Sequence, residues 1–178
     1  MNNSRKPYTV AVFGCGNVLF GDDGVGPRVI EALGGDSLPD FVLVEDVGTG
    51  IRERLFDYLL DPVICPDLII IVDAVDFAGT PPGTVLELRP TEIPARKVHD
   101  FSLHQFPTVN MLAELEESSG IEIKILAVQV GSVPDYVRPG LSEPVVGAVE
   151  RVCEIIMKLV RNKINREVNS HDLRVSCY

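Results

Sequence analysis

Residues 10–26 read VAVFGCGNVLFGDDGVG, and this stretch decides how the rest of the chain is interpreted. It opens with an apolar run typical of a buried strand and then breaks into a loop that carries Gly14 and Gly16. Glycine allows a backbone to approach a ligand closely or to adopt a positive φ. The stretch ends in Asp22 and Asp23, at the head of a predicted helix. Because adjacent carboxylates repel each other, at least one needs a partner: a helix N-terminus, a phosphate-bound cation or a metal ion.

The length and composition predict one domain over residues 1–178, with an ordered core at about 8–164 and a polar, frayed tail over 165–178. The chain is 46% apolar and contains no Trp, which fits an aliphatic α/β core. A net charge of −10 argues against a surface for nucleic acid or anionic membranes, since both require a basic footprint. No apolar run approaches the ~20 residues that span a bilayer.

The cysteines indicate a protein of a reducing compartment. They lie at Cys15, Cys65, Cys153 and Cys177, and no two form a CxxC pair, which argues against a zinc ribbon or a thioredoxin-type site. Residues 1–7 are polar and have no apolar segment behind them, so no signal peptide is predicted. We therefore expect a cytoplasmic protein with reduced thiols.

Apolar runs and helical patterns alternate along the chain. The predicted strands lie at 8–13, 41–44, 68–72, 84–88 and 121–130. The third, LIIIV, is continuously apolar, as expected for a central parallel strand, and the fourth is a short edge strand. This alternation predicts a three-layer α/β/α fold: a twisted, mostly parallel five-stranded sheet with helices on both faces.

The predicted helices begin at residues that favour the N-cap position. Asp22 or Asp23 is expected to cap the first helix and Thr49 the second. Ser102 opens the third helical region, and Ser142 precedes the last helix. These assignments leave one carboxylate of the Asp22–Asp23 pair for another purpose, with Asp22 as the expected cap.

Acidic and amide side chains follow the first three predicted strands. In open α/β sheets, sites form beyond the carboxyl ends of the strands. The residues at these ends are Asn17 and Asp23, Glu45 and Asp46, and Asp73 and Asp76. The sequence therefore predicts a carboxylate-rich site at this edge of the sheet.

A dinucleotide site is one interpretation of the opening loop, and the residues argue against it. Gly14 and Gly16 match half of the dinucleotide-binding pattern, but Leu19 occupies the position of the third glycine. Asp22 and Asp23 also place two negative charges where a pyrophosphate would bind. We expect no nucleotide cofactor.

A metal site built from Asp23, Asp73 and His104 is the second interpretation. Carboxylate and imidazole groups form a sound ligand set for a divalent transition metal. Each residue has a plainer alternative: Asp23 as a helix cap, Asp73 as a turn cap, and His104 as a structural or surface side chain. An acid directly after five aliphatic residues is costly without a partner, which favours a role for Asp73. His99 and His171 lie in polar stretches and are expected to be solvated.

The sequence contains no obvious nucleophile. No Ser lies in a Gly-x-Ser-x-Gly elbow. Cys15 has no His near it in sequence and is interpreted as a small apolar filler, and Ser102 as a helix cap. If the protein is a hydrolase, water activated by a metal or by a carboxylate is the expected attacker.

Three motifs together resemble those of the maturation endopeptidases of nickel–iron hydrogenases. They are Gly14-x-Gly16-Asn17-x-Leu19-x-x-Asp22-Asp23-Gly24-x-Gly26, Ile70-Ile71-Val72-Asp73-Ala74 and Ser102-x-His104-Gln105. Their order and spacing match, and the resemblance covers about residues 10–159. The Asp-Asp form of the first motif and the acidic chain are similar to members that serve archaeal, deazaflavin-reducing hydrogenases.

The resemblance implies a specific activity. Such proteins, often classed as aspartic-type proteases, remove a C-terminal extension from the hydrogenase large-subunit precursor once nickel has been inserted. The nickel is supplied mainly by the precursor and serves as the recognition element. Carried over by position, the metal-binding and catalytic residues are Asp23, Asp73 and His104. Many relatives have Glu where this chain has Asp23.

Two other classes of function stay open at this point. One is a non-catalytic, nickel-sensing chaperone of the large subunit, because a fold does not imply a function. The other is a nucleotide-binding α/β domain.

The segment from Pro90 to Asp100 is expected to be a loop that closes over a bound peptide.

Overall fold

The structure is a computed structural model that describes residues 7–34, 38–92 and 106–175. Its strands are β1 (Val10–Cys15), β2 (Val42–Gly48), β3 (Leu68–Val75), β4 (Val85–Leu88) and β5 (Glu122–Gln129). Its helices are α1 (Val25–Leu33), α2 (Ile51–Leu60), α3 (Phe106–Ser119) and α4 (Glu143–Val175). Short 3-10 turns lie at Gly21–Gly24, Pro62–Ile64 and Pro90–Glu92.

The strands form one sheet in the order β2-β1-β3-β5-β4. The first four in this order run parallel, and β4 pairs antiparallel with β5 at the edge. All eight residues of β3 are buried, as a central strand covered on both faces requires. The predicted five-stranded, mostly parallel sheet with a short edge strand is confirmed.

Helices cover both faces of this sheet, which confirms the three-layer arrangement. On one face α1 and α4 pack on β1, β3 and β5 through Val29, Leu33, Val152 and Ile156. On the other face α2 and α3 pack on the same strands through apolar side chains that include Ile51, Leu55, Leu112 and Leu115. The alternation of side chains along each strand separates the two layers of core.

The observed elements depart from the predicted ones mainly at their ends. The strand β3 continues past Asp73 to Val75, because pairing with β5 extends to that residue. The helix α4 continues to Val175, past the predicted end of the ordered core near residue 164. Residues 148–175 contain neither Gly nor Pro, so nothing in the sequence interrupts the helix. Within the described ranges, no helix is both long enough and apolar enough to cross a bilayer.

Two helix caps differ from the predicted ones. Gly24 occupies the N-cap position of α1 and Gly50 that of α2, and neither helix start has a side-chain cap hydrogen bond. The predictions that Asp22 or Asp23 caps the first helix and Thr49 the second are therefore wrong. The cap predicted at Ser102 lies outside the described residues.

Candidate functional site

The order of the strands creates a crevice at the carboxyl ends of β1 and β3. From β1 the chain first forms β2 on one side of β1 and then crosses over to form β3 on the other side. Such a reversal is the place where ligands bind in doubly wound sheets. Gly14 of β1 pairs with Val72 of β3, so the next residues, Cys15 and Asp73, lie side by side at this crevice.

Asp73 is a fully buried carboxylate inside β3. Its neighbours at alternate positions, Ile71 and Val75, belong to the core under α2 and α3, so Asp73 lies on that face of the sheet. Its Oδ1 accepts a 2.9 Å hydrogen bond from the main-chain N–H of Ala74. A buried acid of this kind needs polar partners, as the sequence predicted.

Asp23 lies in the 3-10 turn that follows the glycine loop and is half-buried. Its Oδ2 accepts a 2.8 Å hydrogen bond from the main-chain N–H of Asn17. Burial raises the pKa of Asp23, and the Asn17 hydrogen bond partly opposes this effect. Gly16 makes the arrangement possible, because a Cβ at residue 16 would lie 1.8 Å from the carbonyl oxygen of Asp23.

The thiol of Cys15 lies in the electrostatic field of several carboxylates at this edge. Its pKa is raised above the ordinary value, first by burial and then by the negative charges of Asp73, Asp46 and Asp23. Charges that act on one buried thiol must lie near it. The structure therefore brings together at one edge three of the acids that the sequence assigned to a site there.

The other predicted acids have structural partners. Glu45 forms an ion pair with Arg54 of α2. Asp76 accepts a 3.1 Å hydrogen bond from Nε2 of Gln129, a buried residue at the end of β5. Oε1 of the same Gln129 side chain accepts a 2.8 Å hydrogen bond from the N–H of Phe77. Glu45 and Asp76 therefore hold the rim of the site in place.

Asp22 has a role that the sequence did not reveal. Its side chain is fully buried and accepts hydrogen bonds from the main-chain N–H groups of Gly131, Ser132 and Ser142 and from the Ser142 hydroxyl. It thus joins the glycine loop to the segment between β5 and α4. No local signal identifies such a contact, because the partners lie 109 to 120 residues further along the chain.

The first turn of α1 rests directly on the two strands of the crevice. A Cβ at Gly26 would lie 2.1 Å from the carbonyl oxygen of Cys15 and 2.8 Å from that of Val72. Only a glycine lets the helix backbone come this close. The turn that carries Asp23 is therefore held at the ends of β1 and β3.

The third predicted ligand, His104, lies outside the described residues, two positions before α3 begins at Phe106. The helix α3 covers the same face of the sheet as Asp73. Most of the predicted loop from Pro90 to Asp100 also lies outside them, apart from the turn Pro90–Glu92. Among the described side chains, no three His, Cys, Asp or Glu residues are placed so that they could hold a metal ion together.

Comparison with known proteins gives a consistent result. The sequence model of the family described as HycI, hydrogenase maturation protease, matches residues 27–159. The chain is 32% identical over 155 residues to the hydrogenase 2 maturation protease of Escherichia coli, a match that covers 85% of this chain and 90% of that protein. It is 35% identical over 157 residues to the coenzyme F420 hydrogenase subunit delta of Methanothermobacter thermautotrophicus, covering 85% and 95%.

The fold agrees with these relatives. The structure of the hydrogenase maturating endopeptidase HybD from Escherichia coli superposes with a TM-score of 0.70 at 30% identity, covering 86% of this chain and 92% of that one. The two Escherichia coli relatives are named as a protease and an endopeptidase, which favours an enzyme over a non-catalytic chaperone or a nucleotide-binding domain. The chain is therefore a peptidase and belongs to the hydrogenase maturation protease family.

Proposed function

We propose that this peptidase removes the C-terminal extension of a nickel–iron hydrogenase large-subunit precursor after nickel insertion. It recognises the nickel, which is part of the substrate, through Asp23, Asp73 and His104. The observation that carries the proposal is the position of Asp23 and Asp73 at the crevice where β1 and β3 end: Asp73 follows Val72 in β3, and the turn that carries Asp23 is held there by the close contact of Gly26 with Cys15 and Val72. The family membership supports the reaction class.

The donor set suits a metal that arrives with the substrate. Two carboxylates and one imidazole fit a divalent transition metal and leave coordination positions open for groups of the precursor. The three residues lie on separate segments of the chain, so they chelate weakly by themselves. We therefore expect little nickel to bind in the absence of the precursor.

Asp23 is also placed to handle the attacking water. Hydrolysis of a peptide bond requires a group that orients the water and accepts its proton. One oxygen of Asp23, Oδ2, is held by Asn17, and Oδ1 has no hydrogen-bond partner among the described residues. Burial raises the pKa of Asp23, which makes its carboxylate a better proton acceptor.

The test is cleavage of purified precursor with and without nickel. Wild-type protein is expected to cleave only the nickel-loaded form. The variants Asp23→Asn, Asp73→Asn and His104→Ala are each expected to lower the rate by at least ~100-fold, since each removes a contact to the recognised metal. Asp61→Asn is a matched control, because Asp61 accepts a main-chain hydrogen bond from Val63 in a turn before β3. Equal cleavage by all four variants would disprove the assignment.

The relative named coenzyme F420 hydrogenase subunit delta supports a deazaflavin-reducing hydrogenase as the source of the substrate. Precursors from hydrogenases with different electron acceptors can be compared in the same assay. The precursor of the deazaflavin-reducing enzyme is expected to give the highest kcat/KM. Faster cleavage of another precursor would assign the protein to that hydrogenase instead.

A further inference from the structure

The carboxylate of Asp22 accepts four hydrogen bonds from one segment of the chain. Its Oδ2 accepts from the N–H of Gly131 at 2.7 Å, the N–H of Ser132 at 2.8 Å and the hydroxyl of Ser142 at 2.8 Å. Its Oδ1 accepts from the N–H of Ser142 at 2.6 Å. Both oxygens are therefore fixed, and the side chain has no freedom to rotate.

The backbone around Asp22 is tied to the same segment. The N–H of Asp22 donates to the carbonyl of Ser132 at 3.1 Å, and that of Gly21 to the carbonyl of Arg138 at 3.0 Å. Gly21 has a φ of +59°, and a Cβ there would lie 2.8 Å from Cδ of Pro134. The backbone of the turn Gly21–Gly24 is thus in direct contact with the segment between β5 and α4.

Asp22 and Asp23 are consecutive residues of one 3-10 turn. Such a turn has three residues per revolution, so consecutive side chains point about 120° apart. With Asp22 pointing into the segment between β5 and α4, Asp23 is turned toward Asn17 and Gly16. The rotation of the turn about its axis therefore sets the direction of both carboxylates together.

We propose that Asp22 is a positioning residue, which holds the turn in the rotation that aims Asp23 at the crevice. The inference rests on the proposed function in one respect: Asp23 is taken as the carboxylate that meets the substrate. Asp22 contacts neither nickel nor peptide and acts only through Asp23. When the hydrogen bonds of Asp22 are broken, the turn can rotate, and the carboxylate of Asp23 then no longer points at the crevice.

The first test reads the orientation of Asp23 without any activity. The amide of Asn17 donates to Asp23, so its chemical shift in the full-length, ¹⁵N-labelled protein reports that contact. Asp23→Ala gives the shift of the broken contact. Asp22→Asn keeps the shape of the side chain but places an NH₂ group against at least one of the N–H donors. Its Asn17 resonance is expected to move toward that of Asp23→Ala.

Ser142→Ala serves as the milder variant, should Asp22→Asn fail to fold. It removes one donor to Oδ2 and leaves three main-chain donors in place. Its Asn17 shift is expected to change in the same direction by a smaller amount. In both variants the amides of Gly131 and Ser132 show whether the contact to Asp22 has been altered. Movement of those two amides with an unchanged Asn17 resonance would overturn the proposal.

The second test is kinetic and uses nickel-loaded precursor. Misplacing a catalytic group by about 1 Å costs up to ~100-fold in rate, and Asp23 is proposed both to bind the nickel and to orient the water, so kcat/KM of Asp22→Asn is expected to fall 10- to 100-fold. Asp61→Asn, with its equivalent change at an exposed turn, is expected to keep the wild-type kcat/KM. An unchanged kcat/KM in an Asp22→Asn protein whose Asn17 resonance has moved would overturn the positioning role. If wild type cleaves no precursor, the proposed function fails while the resonance of Asn17 still decides this inference.

Discussion

The main-chain N–H of Asn17 donates a 2.8 Å hydrogen bond to Oδ2 of Asp23. The bond favours the charged carboxylate, whereas burial favours the protonated acid and dominates, so the pKa of Asp23 is raised. The contact thus keeps the side chain in place and at the same time limits how far its acidity falls. Because the pKa of Asp23 differs between the folded and unfolded states, the free energy of unfolding depends on pH.

The pH dependence of stability follows from this shift. A raised pKa in the folded state means that the stabilising contribution of Asp23 is present at acid pH, below the pKa of the unfolded chain, and is lost as pH rises through the folded pKa. The free energy of unfolding of Asp23→Asn, relative to wild type, is therefore expected to increase as the pH rises above about 4, the ordinary pKa of an Asp. Urea unfolding at several pH values measures it. A difference that stays constant or decreases would contradict the assigned shift.

The thiol of Cys15 is expected to resist alkylation. It is fully buried, and burial and the nearby acids raise its pKa, so little thiolate is present at about pH 8. Iodoacetamide at that pH should label the half-buried Cys153 first and Cys15 only after unfolding in urea. Peptide mass spectrometry distinguishes the two sites. Labelling of Cys15 in the folded protein as fast as that of Cys153 would contradict this environment.

Replacing Cys15 by Ala is expected to leave cleavage of the precursor within a few-fold of wild type. A fully buried thiol with a raised pKa is a poor nucleophile. The small side chain fills space between β1 and the helices, and Ala retains part of that volume. The measurement is kcat/KM on nickel-loaded precursor. A loss as large as that of Asp73→Asn would contradict the interpretation of Cys15 as a small apolar filler.

A comparison of Gly16→Ala with Gly140→Ala distinguishes the effect of backbone strain from the effect of a steric clash with Asp23. Gly16 and Gly140 have φ values of +120° and +108°, so Ala at either position incurs strain of about 1–3 kcal/mol. Only at Gly16 would the new Cβ also meet a neighbour, the carbonyl oxygen of Asp23 at 1.8 Å, whereas nothing lies within 4 Å of one at Gly140. Gly16→Ala is expected to abolish cleavage and to lose more stability than Gly140→Ala, which remains active. Urea unfolding and the cleavage assay measure the two effects, and equal losses would show that the contact to Asp23 is unimportant.

The fold was largely predictable because its signals are local. The continuous apolar run of β3, the alternation of strands with helices, and the short edge strand β4 all appear in the structure. The need of Asp73 for polar partners was predictable, because an acid that directly follows five aliphatic residues is costly without a partner. The extent of α4 was not predicted because the residues after Asn165 are mostly polar, and a polar segment at a chain end was interpreted as a tail.

The parts that could not be predicted depend on contacts between distant segments. The sequence suggests that Asp22 caps a helix, because Asp is favoured at that position in general. The actual donors, Gly131, Ser132 and Ser142, become neighbours only when β5 is in the sheet. The sequence analysis grouped Glu45 with the other acids at the strand ends, whereas in the structure it pairs with Arg54, nine residues further along on α2. His104 stays a prediction.

The close seating of Gly26 on Cys15 and Val72 has a consequence for the newly made protein. The turn that carries Asp23 can settle only against a finished edge formed by β1 and β3, and Asp73 itself belongs to β3. A chain whose β3 has not yet emerged from the ribosome therefore lacks both carboxylates in usable positions. Such a chain can become an active peptidase only after β3 has paired with β1.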